Sequence, residues 1–249
     1  KLLTRPRNGE VQGLADTHGN AVHPFDRDCS VQRRHQKLIE ESPWPALSPE
    51  TRAAMGEAAL KAVRAVDYVN AGTVEFLLDE DGSFYFMEMN TRVQVEHPVT
   101  EAVTGVDIIK EQIRIAAGHP MKHVNQEDIV QRGHAIEFRI NAEDPSDDFR
   151  PNSGHIEVFN APGGFGVRVD SHVYSGYHVP PNYDSLLAKL IVWGETRAEA
   201  VNRARRALDE FIFVGIPTTI PFHQAVVDNE YFQRGEVYTD FVEKHMFFK

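Results

Sequence analysis

The stretch MEMNTRVQVEHPVTE, residues 87–101, alternates apolar and polar side chains from Met87 to Val95. Successive side chains of a β-strand point to opposite faces, so this pattern predicts one extended strand with its apolar face on a core. A half-buried strand with a solvated polar face is the common alternative. Here the polar face collects carboxylates, amides and a guanidinium, which favours a face that binds metal ions and anions. These polar residues are Glu88, Asn90, Arg92, Gln94 and Glu96.

The composition is that of an ordinary globular protein. The chain has 249 residues, of which 41% are hydrophobic and 25% charged, and its net charge is −11. An acidic balance argues against a nucleic-acid or membrane-surface binder. The single cysteine, Cys29, excludes an internal disulfide, and no signal peptide or long apolar run is found, so we predict a cytoplasmic protein without a membrane span. Because the first residue is Lys1 and not Met, we expect a fragment or a processed product.

Helices and strands alternate in the first half of the chain. Ser48 followed by Pro49 predicts a helix start, and the apolar stripe after it continues the helix. Residues 70–72 should end that unit, and residues 73–78 and 84–88 should form a hairpin. Residues 108–116 predict a second helix. Residues 121–132 are polar and lack periodicity, so we place a domain boundary between residues 127 and 128.

The second half is rich in strand patterns. We expect strands over residues 133–141, 155–159, 166–170 and 186–193. Thr196 and Glu199 form a capping box before a further helix. Residues 161–166, APGGFG, lack the lysine and the strand-to-helix context of a phosphate loop, so we interpret them as a turn. The fold class that follows is α+β with antiparallel sheet.

The hairpin brings two carboxylates together. In either of its short-loop registers, Glu75 and Glu88 share one face, with Cβ atoms roughly 5–8 Å apart. Like charges this close favour a cation between them, and Mg²⁺ prefers carboxylate oxygens plus nucleotide phosphates. Asn90 adds a neutral oxygen on the same face. The alternative, that both carboxylates meet water or lysine, is left open by the spacing alone.

Two further sets of polar residues indicate anion binding. Residues 32–37, QRRHQK, are a basic run in an acidic chain, and beside a metal-binding hairpin they fit a site for phosphate and small anions. Arg139 falls on the polar side of its predicted strand. An inward arginine is more often an ion-pair partner than a catalyst, and Asp184 is a candidate partner.

Three long motifs resemble the biotin carboxylase family of ATP-grasp enzymes. They are RDCSVQRRHQK at residues 27–37, MEMNTRVQVEHPVTE at residues 87–101 and RGHAIEFRINAED at residues 132–144. The similarity continues to Tyr183-Asp184-Ser185 and Lys189. It implies an ATP-grasp antiparallel sheet with helices over residues 1–127, and a strand-rich biotin carboxylase C-terminal domain over residues 128–249.

The resemblance implies a reaction and its partners. MgATP would phosphorylate bicarbonate to carboxyphosphate, whose CO₂ would carboxylate the ureido nitrogen of biotin. The biotin would sit on a carrier protein or domain that also visits a carboxyltransferase, as in acetyl-CoA carboxylase and fatty acid biosynthesis, and the enzyme would be a homodimer. Because the amino-terminal domain and the glycine-rich lid would lie upstream, we expect the isolated fragment to fold, to bind nucleotide weakly and to be inactive.

Roles are implied position by position. ATP would contact Lys1, Leu3, Gln32, His35, Glu75, Leu77 and Glu88. One or two Mg²⁺ or Mn²⁺ ions would be held by Glu75, Glu88 and Asn90. Bicarbonate would be surrounded by Lys37, Arg92, Gln94, Val95 and Glu96. Glu96 would be the general base and Arg92 would steady the developing anion, while Arg139 would stabilise the biotin enolate.

The sequence departs from the family pattern at one strand. Asn8 stands where histidine is usual, and Gly9 and Gly13 stand where β-forming residues are usual. Histidine at this place is associated with the nucleotide in the family, so the resemblance does not carry a ribose contact over to Asn8. Glycine inside a strand weakens the strand. Two alternative functions stay open: another ATP-grasp ligase, such as the carbamoyl-phosphate type, and a non-catalytic nucleotide-binding module.

Overall fold

The described residues of the first half form six strands and three α-helices. A computed structural model describes residues 2–246. The strands are β1 Arg7–Ala15, β2 Ala21–Val22, β3 Asp26–Arg33, β4 Gln36–Ser42, β5 Asn70–Leu78 and β6 Phe84–Asn90. The helices are α1 Pro49–Ala65, α2 His97–Thr104 and α3 Ile108–Ala116.

The second half, as far as residue 246, contributes nine strands, four of them only two residues long, and four more α-helices. Its strands are β7 His134–Asn141, β8 Glu143–Asp144, β9 Arg150–Pro151, β10 Gly154–His155, β11 Val158–Asn160, β12 Val167–Ser171, β13 His178–Val179, β14 Leu186–Gly194 and β15 Ile212–Val214. Its helices are α4 Arg197–Glu210, α5 Ile220–Asp228, α6 Glu230–Gln233 and α7 Phe241–His245. Within residues 2–246 no helix combines the length and the hydropathy needed to cross a bilayer.

One antiparallel sheet runs through both halves. Its order is β12-β14-β7-β4-β3-β1-β5-β6, with β2 paired to β1. The pairing of β4 with β7 joins strands on either side of the expected boundary, and it includes the partners Glu40 and Glu137. The division after residue 127 stays a prediction, while the α+β class with an antiparallel sheet is confirmed.

Each face of the sheet is covered by helices. Ile136, Phe138 and Ile140 point into a core shared with α4 and α5. On the opposite face of the same strand, Ala135 packs against Val99 of α2. Because β7 alternates between these two environments, its remaining polar residues are carried toward α2 and the start of that helix.

Helix α1 begins as predicted. The Ser48 hydroxyl accepts a hydrogen bond from the Thr51 amide at 3.1 Å, and Pro49 occupies the first turn. Apolar residues of α1, including Met55, then pack against β1 and β5 around the buried Trp44. The capping residue and the apolar stripe therefore fix the helix start and its buried face together.

The glycines of β1 are explained by packing. A Cβ on Gly9 would lie 2.1 Å from Cζ3 of Trp44, and one on Gly13 would lie 3.1 Å from Cγ2 of Val63. Strand β1 forms nevertheless, because β3 and β5 pair with it on both sides. The expected weakness of this strand is offset by its central position in the sheet.

Three expected element boundaries are wrong. The strand predicted from Met87 to Val95 ends at Asn90, and an irregular segment leads to α2, which Pro98 helps to start. Residues 70–72 begin β5 rather than ending a helical unit. The strand expected over residues 155–159 is interrupted, since β10 ends at His155 and β11 starts at Val158. The turn over residues 161–166 is confirmed.

Candidate active site

A cavity of 770 Å³ gathers nearly all the predicted site residues. Its lining includes Gln32, His35, Lys37, Glu75, Leu77, Glu88, Asn90, Arg92, Gln94, Val95, Glu96 and Arg139, together with Asn8. Leu3 is half-buried and does not line it, and Lys1 lies outside the described residues. The cavity lies where the β3–β4 and β5–β6 hairpins meet the segment before α2.

The tip of the β3–β4 hairpin divides the basic run. Arg34 and His35 form the turn, with φ values of 49° and 66°, and both line the cavity. Arg33 and Arg34 both form ion pairs with Asp148, the latter at 2.9 Å. Arg33 is the one residue of this run that does not line the cavity, and Asp148 ties both arginines to the C-terminal half.

Glu75 and Glu88 are directly opposite each other in the β5–β6 ladder. Phe76 pairs with Phe86, so the ladder has a bulge after Glu75 and Met87 is its extra residue. Met87 is 41% exposed and lines the cavity instead of packing into the core. The Asn90 amide nitrogen donates to Glu75 Oε1 at 2.9 Å and to Glu88 Oε1 at 3.4 Å. Two carboxylates and an amide on one cavity wall are hard oxygen ligands and fit a divalent cation such as Mg²⁺.

Lys37 is the cation around which the acidic groups assemble. Its Nζ lies 2.7 Å from Glu10, 3.0 Å from Glu75 and 2.7 Å from Glu96. Glu10, Cys29 and Glu96 also have ligand atoms within 4.8 Å of one another. Because the lysine already stands between two of these carboxylates, this buried cluster is an ion-pair centre and not a vacancy for a metal.

Glu96 is held between two cations at the head of α2. Its Oε1 accepts from Lys37, and its Oε2 lies 3.0 Å from Nη2 of Arg139. Burial acts to raise the pKa of Glu96, but Lys37, Arg139 and Arg27 outweigh it and lower the pKa to about 2. The carboxylate is therefore ionised throughout the physiological range, which is the state a base requires.

Arg139 is anchored by side-chain and backbone contacts. Its Nη2 lies 2.5 Å from Glu40 Oε1, and the same nitrogen contacts Glu96. Its carbonyl accepts from Thr219 at 2.9 Å and contacts His223 Nε2 at 2.7 Å. Burial lowers the pKa of His223 to about 4, so that imidazole is neutral and donates through Nε2. The candidate ion pair with Asp184 does not form.

Asp184 instead lines a second cavity of 490 Å³. Gln36, Val95 and Arg139 are common to the linings of both cavities. The remainder of the second lining is mostly aromatic and aliphatic, with Tyr177 and Tyr183 among its members. The guanidinium of Arg139 therefore stands between a polar cavity and a more apolar one.

Sequence reasoning missed a buried layer beneath the cavity. Arg27 is fully buried, with Nε 2.5 Å from Glu10 Oε1, and it donates to Gln12, Thr73, Gln94 and Thr100. Glu40, which anchors Arg139, was also missed. A partial signal was available, because both charged residues lie inside strands, where a buried charge is costly unless it is paired.

Comparison with protein families divides the chain into two matched parts. The family described as "Carbamoyl-phosphate synthase L chain, ATP binding domain" matches residues 1–124. The family described as "Biotin carboxylase C-terminal domain" matches residues 137–244. The first family is thus named for carbamoyl-phosphate synthase and the second for biotin carboxylase.

Known relatives agree with the second match. A pyruvate carboxylase subunit from Methanothermobacter thermautotrophicus is 59% identical over 245 residues, covering 98% of this chain and 50% of the relative. Biotin carboxylase of Nostoc sp. is 59% identical over 244 residues, covering 98% and 54%. The chain thus spans about half the length of the curated relatives it matches.

A solved structure has the same fold. The biotin carboxylase domain of Hydrogenobacter thermophilus 2-oxoglutarate carboxylase, a dimer in complex with MgADP, ADP and bicarbonate, has a TM-score of 0.96 and 49% identity. The match covers 98% of this chain and 54% of that one. The motif resemblance is confirmed over 98% of the chain, and the chain belongs to the biotin carboxylase family, corresponding to about half of a full-length member.

Proposed function

We propose that the full-length protein carboxylates biotin on a carrier protein, using ATP and bicarbonate through carboxyphosphate. The observation that carries the proposal is the position of Glu96, an ionised carboxylate fixed between Lys37 and Arg139 in a cavity whose wall holds Glu75 and Glu88. The related 2-oxoglutarate carboxylase domain, whose structure contains MgADP and bicarbonate, supports the same ligands here.

Glu96 is the base that removes the bicarbonate proton. Its low pKa depends on the two cations, which makes it a weak base in this arrangement. A bicarbonate bound between Lys37 and Arg92 brings a second negative charge to Lys37, so Glu96 shares that cation and its basicity rises when it is needed. Gln94 and Val95 complete the bicarbonate pocket, and Gln94 is itself held by a 2.8 Å hydrogen bond to Glu75.

The nucleotide lies along the two hairpins. Gln32, His35 and Leu77 face it from the cavity wall, and Leu3 and Lys1 are proposed contacts of the adenine. Glu75, Glu88 and Asn90 hold Mg²⁺, or Mn²⁺ in its place. The ion, when bound, neutralises charge on the phosphate oxygens during transfer.

Arg139 stabilises the biotin enolate. Its guanidinium is oriented by Glu40 and Glu96 and borders both cavities, so it can face bicarbonate-derived CO₂ and biotin together. Preorganised donors of this kind stabilise charge that develops in the transition state. A biotin carrier protein or domain, a carboxyltransferase and a second copy of the chain are the proposed partners.

A carbamoyl-phosphate type of ligase is the second candidate, favoured by the family match over residues 1–124. The two candidates differ in their acceptor. In a version extended to the full length of its relatives, bicarbonate-dependent ATP hydrolysis should increase when free biotin is added. Stimulation by ammonia or glutamine instead of biotin would favour the second candidate. ATP binding without turnover would identify a non-catalytic nucleotide-binding module.

A further inference from the structure

The carboxyl group of Glu137 lacks a partner. Glu137 is 0% exposed, in the middle of β7, and within residues 2–246 neither of its oxygens has a hydrogen-bond partner. An ionised carboxylate is strongly disfavoured in such a place, since neither water nor a donor compensates its charge.

Strand register places Glu137 opposite Glu40. Directly opposed residues have Cβ atoms about 4.5–5.5 Å apart, so the two carboxyl groups are neighbours. Oxygen Oε1 of Glu40 accepts from Arg139 Nε at 2.6 Å and from its Nη2 at 2.5 Å. Oxygen Oε2 of Glu40 is buried and, like both oxygens of Glu137, lacks a partner among the described residues.

The charges of the cluster also indicate a neutral carboxyl. Five carboxyl groups are buried around the site, against three paired cations. The carboxyl groups are Glu10, Glu40, Glu75, Glu96 and Glu137, and the cations are Arg27, Lys37 and Arg139. Every carboxyl group in this set except Glu137 contacts one of these cations. Glu137 is therefore the group on which a proton is least costly.

We propose that Glu137 is protonated and donates its O–H to Glu40, so that Glu40 stays ionised and holds Arg139 in place. Glu137 is then a positioning residue that acts through Glu40, and the use of Arg139 toward biotin rests on the proposed function. One hydrogen bond would satisfy an oxygen of each carboxyl group. Two neighbouring buried carboxyl groups that share one proton are a recurrent arrangement.

Several charged groups surround Glu137 and set its titration. They are Glu40 on β4, Lys189 on β14, Glu96 before α2 and Arg139 on its own strand, with neutral His223 of α5 on the Arg139 carbonyl. Burial and the charge of Glu40 raise the pKa of Glu137 well above its ordinary value, against the opposing effect of Lys189. Burial also raises the pKa of Glu40, to about 7.

The pair should therefore lose its protons in two steps that belong to both groups. Near pH 7 the first proton leaves and the ionised Glu40 binds Arg139 most strongly. At higher pH the second proton leaves, the two carboxylates repel each other and the anchor of Arg139 loosens. The contact is predicted to be tightest between these two steps.

Infrared spectroscopy of the 249-residue chain tests the proton directly. The C=O stretch of a protonated carboxyl is separate from carboxylate bands, and subtraction of the Glu137→Gln spectrum from the parent at pH 8 should leave one such band. Glu88→Gln, which removes an exposed carboxylate of the same site, should leave none. Absence of the Glu137 band would overturn the proposal, because the side chain would then be ionised.

The consequence for Arg139 is measured by NMR of arginine Nε–H groups, with the signal identified by its loss in Arg139→Gln. In the parent it should be sharp above pH 7 and broaden as the Glu137 infrared band disappears. In Glu137→Gln it should stay sharp at that higher pH. Should that variant not fold, the titrations of the parent are sufficient. An Arg139 Nε–H signal that does not change as the Glu137 infrared band disappears would contradict the positioning role. Neither readout needs catalysis, so these results are independent of the proposed activity.

Discussion

Glu96 Oε2 and Arg139 Nη2 lie 3.0 Å apart, although one residue precedes helix α2 and the other lies within β7. The contact joins the segment that follows the β5–β6 hairpin to a strand of the C-terminal half. Through Glu40, which lies 2.5 Å from the same nitrogen, it extends to β4. The proposed base and the guanidinium proposed to act on biotin are thus one electrostatic unit.

Removing the proposed base should reduce turnover more than binding. In a full-length version, Glu96→Gln keeps the shape of the side chain but cannot accept a proton, so kcat for bicarbonate-dependent ATP hydrolysis should fall about 10²–10⁴-fold. The KM for ATP should change much less. Glu80→Gln, at an exposed position of the same half, is the control. A rate equal to that of the parent would exclude Glu96 as the base.

Arg139→Lys should impair the biotin step. Lysine keeps the charge but has a single nitrogen, which cannot contact Glu40 and Glu96 with the planar geometry of a guanidinium. We expect kcat/KM for free biotin to fall at least about tenfold, with a smaller change in biotin-independent ATP hydrolysis. Equal losses in both reactions would indicate that Arg139 acts before biotin is involved.

Glu88→Gln should weaken metal binding. Glu75 and Glu88 are opposed in the ladder, so removing one charge leaves a single carboxylate for the ion. Titration of Mn²⁺ in the presence of ATP, followed by its electron paramagnetic resonance signal, should give about tenfold weaker binding. The Glu80→Gln variant should bind as the parent does. If both variants bind alike, the metal lies elsewhere.

Glu41 makes stability depend on acid pH. Its carboxylate contacts Arg197 at 2.7 Å and His134 at 2.6 Å. Burial acts to raise its pKa, but Arg197 and His134 lower it from 4.5 to about 2. Because the folded value lies below the unfolded one, this stabilisation is complete above about pH 4.5 and is lost as pH falls through about 2.

Urea unfolding at several pH values measures this contribution. The Glu41→Gln variant should be less stable than the parent by about 1–3 kcal/mol at pH 6, and the two curves should converge toward pH 2. Glu80→Gln should follow the parent at all pH values. A Glu41→Gln deficit that is constant with pH would mean that lost packing, not charge, causes it.

Gly9→Ala should destabilise the fold by about 1–3 kcal/mol, because the added methyl group would overlap the ring of Trp44. Gly163→Ala, where an added Cβ meets nothing within 4 Å, is the matched control and should be nearly neutral. In a double-mutant cycle, Trp44→Leu should reduce the cost of Gly9→Ala, since it removes the obstructing ring. Additive effects of the two substitutions would contradict this explanation.

The sequence predicted which side chains share one face of the site more accurately than it predicted the backbone structure that carries them. Glu88, Asn90, Arg92, Gln94 and Glu96 all line the cavity, as their common parity implied. Yet the strand ends at Asn90, because alternation does not distinguish a strand from an extended loop that leads into a helix. The bulge that exposes Met87 was likewise beyond a pattern that assumes an unbroken ladder.

Long-range pairings were the least predictable part. Asp184 follows Arg139 at a plausible distance in sequence, but Glu40 takes the ion pair because β4 lies beside β7 in the sheet. Strand order of this kind depends on how the whole chain packs and not on local periodicity. Arg27 was missed for the same reason, since its partners come from four separate segments.

The β4–β7 ladder has a consequence for how this family can diverge or recombine. A crossover between the two matched regions would give β4 a new neighbour and would separate Glu40 from the Arg139 with which it was inherited. Chimaeras joined at residues 125–136 should therefore tolerate a foreign second half only when β4 comes from the same donor as β7. Residues on the two strands are expected to co-vary among homologues more strongly than residues within either region.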